Sequence, residues 1–408
     1  MKILLFTLII MNFKSIANET KTINLTQLWS QLITWHPLVL IKQYKLESSD
    51  GEIEQSSKKI NPEFSFEIEE FGGSKSRKGF DDALVQVSLS QLFERGKKRQ
   101  KRITISEIEK SIEILETNKS IQELFFEMKE KYLETLFSKS RLQLELALYK
   151  MTLEFEEVMK KLVKYGKISP IGLERVKILK SSSQIDLNEA QSQFKINKME
   201  LFSLSGFDEK IESFKLLDLK ENSFSDENFD WNKSVQMKIF NKKLELQKAK
   251  LNLERSKAKQ DYSFGGAIQN FTGNDEKAFV LSYTVALGVY DRNQGGIRAQ
   301  KARVNIQKEQ IRLDLLNLRV KLKKLKNQMS FSKSKLNTLK NIIVPSSEKL
   351  YQRVIKAQNA GKSDYLAVLE ARRNLIENKR LELNIKHQLL IEKNKIDQIL
   401  LNKVLEIK

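Results

Sequence analysis

The 408-residue sequence has no cysteine, two histidines and four prolines. Without a thiol there is no disulfide framework, no thiolate metal site and no lipid-bearing N-terminal cysteine. His36 and His387 fall in separate helical stretches and the methionines are scattered. No coordination constellation follows from such spacing, so no metal site is expected. A Ser-His-Asp set, a phosphate loop and a carboxylate pair in a strand-to-helix turn are missing as well, so neither catalytic residues nor a cofactor is expected, and the chain is read as no enzyme. Long apolar runs are also lacking. Past the first residues no segment approaches about eighteen apolar positions, which excludes a spanning helix in the mature chain. Membrane contact would then come from strands, which only a closed barrel allows.

What the sequence does have is long uninterrupted runs of Leu, Ile, Lys, Glu, Gln and Asn, with only fifteen glycines. These favour extended helices. The formal charge of +20 is spread as lysine along every helix, as on solvated faces, and no nucleic-acid motif accompanies it; nucleic acid is not an expected partner. Residues 1–17 carry Lys2, an apolar stretch from Ile3 to Met11, and Ser15 and Ala17 at the −3 and −1 places of a small-residue cleavage site. This reads as a secretory signal removed after Ala17.

A helical pattern runs from Leu25 to about Lys59 and stops at Asn61-Pro62. Two strands follow, at about 62–71 and 83–93, with Phe64, Phe66, Val85 and Val87 alternating against Ser65, Gln86 and Ser88 across a loop from Gly72 to Gly79. Helix then extends from the Arg95-Gly96-Lys97-Lys98-Arg99 segment to about Tyr165, breaks at Gly166 to Pro170, and resumes to Ser205. Residues 206–230 lose the periodicity and read as a connector. After them the order repeats: helix from Trp231 to about Lys259, strands at about 261–271 and 278–290, a long helix to about Asn359, a break at Gly361-Lys362-Ser363, and a last helix to about Val404. Residues 18–205 and 231–408 are thus two copies of one unit, helix, hairpin, long helix, helix, offset by about 195 residues, far beyond solenoid periods.

The clearest strand is the last. Phe279, Leu281, Tyr283, Val285, Leu287 and Val289 share one parity, and Ser282, Thr284, Ala286 and Gly288 the other. A run of about ten residues with one large apolar face and one small polar face suits a tilted strand between lipid and water. The lipid-facing set is then Phe64, Phe66, Val85, Val87, Tyr262, Phe264, Phe279, Leu281, Tyr283 and Val285. In the long helix of the second copy, Val304, Ile311, Leu315, Leu318, Leu322, Leu325, Met329, Leu336, Leu339 and Ile343 follow a coiled-coil seam. A helix of roughly 63 residues measures about 95 Å, and two short helices of about 45 to 55 Å placed end to end match it. Four strands cannot close a barrel, because about eight is the usual minimum, so copies must join to bury the open edges.

The order of elements, His36-Pro37, Asn61-Pro62, the Ser90-Gln91…Gly96-Lys97-Lys98 exit of the first hairpin, Tyr290-Asp291-Arg292-Asn293-Gln294-Gly295, and Leu366-Ala367-Val368-Leu369-Glu370-Ala371 after the Gly361 turn resemble the TolC-like outer-membrane efflux proteins, in particular their heavy-metal-cation branch. The resemblance implies a mainly α protein with a membrane β part: a homotrimer with a twelve-stranded barrel in the outer membrane of a diderm bacterium, above a long helical periplasmic barrel. It also implies a passive exit duct working with a periplasmic adaptor (membrane fusion protein) and an inner-membrane pump of RND type. Leu92 stands where the family commonly has proline, and Ala367 and Glu370 stand where the best-known member has two tip carboxylates. Ser363 takes the place of its tip-locking arginine. The same architecture serves as the exit duct of type I protein secretion; a non-channel periplasmic coiled coil is the reading of another class.

Glu370 is the candidate periplasmic gate, since three copies of a carboxylate at a narrow mouth attract cations and resist crowding. Asp364 is a helix N-cap and a second mouth charge. Gly166, Lys167, Gly361, Lys362 and Ser363 form the tips that an adaptor would meet. The basic run Lys97, Lys98, Arg99, Lys101 and Arg102 opposes the dipole of the helix it begins, which points to contact with lipid phosphates at the periplasmic interface or, equally, to a solvated or lumen-facing cluster. Trp29, Trp35 and Trp231 read as packing residues, and Tyr262, Phe271 and Tyr290 as an aromatic girdle.

Overall fold

A computed structural model describes residues 22–166, 168–206, 213–214, 234–360, 362 and 364–400. The secretory signal, most of the connector and Trp231 lie outside the described residues. The elements in chain order are β1 (Thr22–Ile23), α1 (Leu25–Trp35), α2 (Pro37–Ser57), β2 (Glu63–Glu69), β3 (Leu84–Phe93), α3 (Lys98–Lys164), α4 (Pro170–Ser205), β4 (Ser213–Phe214), α5 (Val235–Lys257), β5 (Tyr262–Phe271), β6 (Glu276–Val285), α6 (Gln294–Thr338), a π turn (Leu339–Ile343), α7 (Val344–Asn359) and α8 (Tyr365–Ile399). All ten seam positions expected in the long helix of the second copy are buried or half-buried.

Three boundaries differ from the sequence expectation, each for a local reason. The first helix is two helices, because Pro37 forces His36 out of the helical region, to ψ 130°. The long helix of the second copy passes through the π turn just before Pro345. Proline offers no N–H and its ring crowds the carbonyl four residues back, and a widened turn accommodates both. The last strand stops at Val285, five residues short of the expected end, because Leu287 to Asn293 bond among themselves: Val289 N–H donates to Leu287 O, and Arg292 Nε to Gly288 O.

Contacts divide the chain into two units, one of residues up to 36 with 125–224 and 328–394, the other of 37–124, 225–327 and those from 395 on. Among its described residues the first unit has one pair of strands, the parallel β1–β4, which the sequence reading missed, set among helices. Asn24 and Gln27 cap α1 reciprocally, with bonds of 2.9 and 3.0 Å. α4 ends at Gly206, whose φ of 72° suits glycine and whose missing side chain makes room for the Trp35 indole. A core of Phe155 and Met159 from α3, Val176 from α4, Tyr351 from α7 and Val368, Ala371 and Leu375 from α8 holds four helices together. Each of Phe155, Met159, Val176, Val368 and Leu375 contributes about 1.5–3 kcal/mol on leaving water.

The second unit holds a four-stranded antiparallel sheet in the order β2-β3-β5-β6. Its helices keep the same order. Lys45 pairs with Glu113 at 2.7 Å and Ser56 meets Ser106 at 2.7 Å between α2 and α3. Lys243–Glu116 at 2.6 Å and Lys250–Glu109 at 2.8 Å join α3 to α5. Gln300 donates to Gln247 at 2.8 Å between α6 and α5. At the top of α6, Asn293 holds φ 55° and donates from Nδ2 to Glu254 Oε2 at 2.6 Å.

That contact has a pH signature. The Asn293 amide first and Lys257 second hold the Glu254 carboxyl below its ordinary value of 4.5. A carboxyl with a lowered folded pKa contributes stability that is complete above its unfolded pKa and disappears as the pH falls through the folded value. Glu254→Gln should therefore be less stable than the parent at neutral pH, and the difference should close as the pH drops below about 4. Denaturant unfolding across a pH series measures it; a gap independent of pH would count against this assignment.

Candidate functional site

Strand register sorts the sheet into two faces. Phe64, Phe66, Val85, Val87, Tyr262, Phe264, Phe279, Leu281, Tyr283 and Val285, the ten residues expected to share a face, do share one. Ile68, Leu89, Phe93 and Ile268 join them there. Phe279 and Leu281 are 83% and 87% exposed, a degree of apolar exposure that water does not favour. Phe93 stacks on Tyr262 at 5.4 Å, and Tyr283 lies within 5.7 Å of Tyr262 and 5.5 Å of Phe264. An aromatic group thus sits at the helix-side end of the apolar face. Phe271 lies at the loop end on the opposite face, and Tyr290 lies beyond β6.

The other face is polar and small. Ser65 Oγ and Ser88 Oγ are 2.6 Å apart, and Gln269 donates to Gln86 Oε1 at 2.7 Å. The ladder joins side chains across three strands, and Gln86 Nε2 also donates to the Glu67 carboxylate at 3.5 Å. β3 runs on through Leu92, which pairs with Ser263, so the strand is not interrupted where the family's proline would stand.

The basic run at the start of α3 is mostly bonded within the chain. Lys98 pairs with Asp261 at 2.8 Å, Arg102 takes both oxygens of Glu94, and Lys101 donates to the Asn252 carbonyl at 2.9 Å and to Ser256 Oγ. Asp261 also accepts from the Arg95 N–H at 2.7 Å. Carboxylates that precede β5 and α3 therefore answer the positive charge at the helix start, in place of lipid phosphate or bulk solvent.

At the far end of the first unit, α3 closes on Gly166, with φ 66° and its N–H bonded to Val163 O at 2.9 Å. Ser169 caps α4 by accepting from the Ile171 N–H, with Pro170 as the first helical residue. The turn into α8 is tied by the Lys362 N–H to Ala357 O at 2.8 Å. Tyr365 packs on Gly172 and accepts from Arg175 Nη1 at 3.3 Å, so the starts of α4 and α8 lie side by side. Asp364 just precedes α8, and Glu370 is exposed on it beside buried Ala371. Lys167, Gly361 and Ser363 lie outside the described residues.

A charge cluster, a buried arginine and a buried histidine near this tip were not anticipated. Arg380 of α8 donates to Glu145 of α3, at 2.8 Å from Nε, and from Nη2 to Asp186 of α4 at 2.7 Å; the Glu145 side chain is 2% exposed. Burial alone would lower the Arg380 pKa, but its bonds to Glu145 and Asp186 outweigh burial and the net direction is up. Arg372 is buried with its guanidinium on Thr152 Oγ1, and burial lowers its pKa. His387 stacks on Phe137 at 4.3 Å, and burial lowers its pKa too. No group of three or more His, Cys, Asp or Glu suited to a metal occurs among the described residues.

The family model for outer membrane efflux proteins matches residues 243–400. The cobalt-zinc-cadmium resistance protein CzcC of Cupriavidus metallidurans is 22% identical over 360 residues, 87% of this chain and 84% of that protein. The chain is thus similar to outer membrane efflux proteins. Solved structures agree on the fold. The outer membrane protein VceC of Vibrio cholerae superposes with a TM-score of 0.74 at 15% identity, covering 92% of this chain and 95% of that one. The outer membrane channel CmeC of Campylobacter jejuni gives 0.72 at 12% identity, covering 92% and 85%. The likeness to outer membrane efflux proteins supports an efflux exit duct of the outer membrane. The family forms trimers and works with an adaptor and an inner-membrane pump.

Proposed function

We propose that three copies of this chain join their four-stranded sheets into one twelve-stranded barrel in the outer membrane, and that heavy-metal cations leave through it passively. The observation that carries the barrel is the sheet itself: four strands, one face apolar apart from Gln91, Asn270 and Lys277, and two edges, on β2 and β6, with no neighbour among the described residues. Unpaired edges are not tolerated in lipid, and twelve antiparallel strands remove them. The apolar face meets outer-membrane lipid and the Ser65–Ser88 and Gln86–Gln269 face meets the water of the lumen. Residues 1–17 direct export and are removed; 18–205 and 231–408 are the two repeats, joined by the connector 206–230. The cation cargo is supported by the likeness to CzcC, named for cobalt, zinc and cadmium resistance. A duct does not need to bind what it passes, so that cargo requires no resident metal site.

The tips Gly166, Lys167, Gly361, Lys362 and Ser363 dock the adaptor, which links the duct to a pump of RND type. Glu370 is the gate carboxylate, with Asp364 behind it at the helix start. Three copies of Glu370 around a narrow mouth would favour cations by electrostatic attraction. Detergent-purified protein inserted into a planar bilayer should form a trimeric, cation-selective channel; a monomer that stays in the water-soluble fraction and conducts nothing would end the duct reading. In the same assay Glu370→Ala should lower cation over anion selectivity several-fold, an order-of-magnitude expectation for losing a pore-lining charge ring. Unchanged conductance and selectivity would remove Glu370 from the gate and leave the duct standing.

A further inference from the structure

The apolar face of the sheet ends on a charge. Register sets Ile68, Val85, Asn270 and Lys277 in one row across the four strands, the last row of that face in which all four pair before the turns away from the helices. Gln91, at the helix-side end of the same face, is answered within the chain, since its Nε2 donates to the Ile60 carbonyl at 3.0 Å. The outer row has no such answer. Asn270 Oδ1 lacks a hydrogen-bond partner, and Lys277 makes neither an ion pair nor a hydrogen bond among the described residues. Asp275 and Glu276 precede it, the first in the turn at φ 55° and the second on the polar face.

Height decides what the charge meets. On β5, Asn270 stands eight residues from Tyr262, whose ring stacks on Phe93 in the aromatic group at the helix-side end. At about 3.4 Å per residue and a strand tilt of about 40°, that distance climbs about 21 Å along the membrane normal. The apolar band of such a barrel is about 25 Å tall, so the row stands just inside its far boundary. A lysine stem snorkels across the remainder and sets its ammonium among headgroups. A charge on the lipid face is costly at the midplane and tolerated only near a boundary, so the position of Lys277 and the height of the sheet agree.

With the helices in the periplasm, this far boundary belongs to the outer leaflet, whose lipopolysaccharide carries phosphates on its glucosamine headgroup. We infer that Lys277 binds a phosphate of outer-leaflet lipopolysaccharide, one lipid per copy, and thereby fixes the height at which the barrel sits. The inference rests on the lipid-facing reading of the apolar face proposed above. Charge at the same end of the sheet favours it: Lys75 and Lys78 are exposed on the loop between β2 and β3, while the Glu70 carboxylate there is taken by Arg77 at 2.8 Å. An ammonium and a phosphate in the low-dielectric margin of a membrane form a strong charge-assisted bond.

The test uses full-length trimer extracted in detergent and stripped of lipid, as the parent chain, Lys277→Gln and Lys277→Arg. Each is titrated with diphosphorylated lipid A, with the same lipid lacking its phosphates, and with phosphatidylglycerol, and bound lipids are counted by native mass spectrometry. The parent should bind up to one lipid A per copy, Lys277→Arg should match it, and Lys277→Gln should bind at least roughly fivefold more weakly. The dephosphorylated lipid and phosphatidylglycerol should bind the parent and Lys277→Gln alike. Equal lipid A binding by the parent and Lys277→Gln, or phosphatidylglycerol binding as strong and as dependent on Lys277, overturns the contact while the barrel stands. Loss of trimers in Lys277→Gln but not in Lys277→Arg would give the charge to a carboxylate of a neighbouring copy and overturns it too. Absence of any trimer from the parent chain overturns both this inference and the barrel.

Discussion

Leu281→Arg should remove the protein from the outer membrane as a trimer. Leu281 sits near the middle of β6, on the apolar face, 87% exposed, opposite Gly266 of β5. The glycine offers no side chain to cover a guanidinium. A charge on the lipid face near the bilayer midplane costs about 2–4 kcal/mol, and three copies would bring about 6–12 kcal/mol to one barrel, comparable with the whole stability of many folded domains. Thr284→Arg, three residues along the same strand on the polar face, puts the same charge into water. It should leave assembly intact and lower single-channel cation current. Membrane fractionation and trimer recovery in detergent separate the two. Normal assembly of Leu281→Arg together with failure of Thr284→Arg would mean that the sheet faces the other way.

The facing of β6 was legible because a strand has period two and residues of opposite character alternate without a slip from Phe279 to Val285. The same holds for the long helices, whose apolar positions recur at three and four with few breakers to interrupt them. What the sequence hid falls into two kinds. Leu287 and Val289 continue the parity of β6, but Gly288 and the Asp291-Arg292-Asn293 turn satisfy their own backbone groups locally, and local side-chain bonding wins over pattern at a strand end. The second kind is long-range charge. Arg380 lies 235 residues from Glu145 and 194 from Asp186, and each of the three, read alone, is an ordinary charged residue on an amphipathic helix. Nothing in spacing or composition marks such a meeting; only packing reveals it. The tip is intermediate: Gly166 and Ser169-Pro170 announce a helix end and a helix start, whereas the seating of Tyr365 against Gly172 depends on two turns coming together.

Breaking that meeting has the second large effect. Arg380→Met should destabilise the chain by about 3 kcal/mol, toward the lower end of the range for removing one partner of a buried ion pair, because about a third of the Arg380 side chain reaches solvent. The loss comes less from the missing attraction than from Glu145, left 2% exposed with its charge unanswered. A second change tests that account. Glu145→Met/Arg380→Met removes the stranded carboxylate and fills its place with apolar atoms, so it should recover most of the stability, with a coupling energy of about 2 kcal/mol between the two sites. Asp186 is already about a third exposed and can be hydrated when Arg380 is gone. Denaturant unfolding of the detergent-solubilised trimer measures Arg380→Met, Glu145→Met and the double variant per chain. If the double variant were as unstable as the sum of the singles, Arg380 would be holding α3, α4 and α8 through its packing stem alone, and the carboxylates would contribute little to the junction.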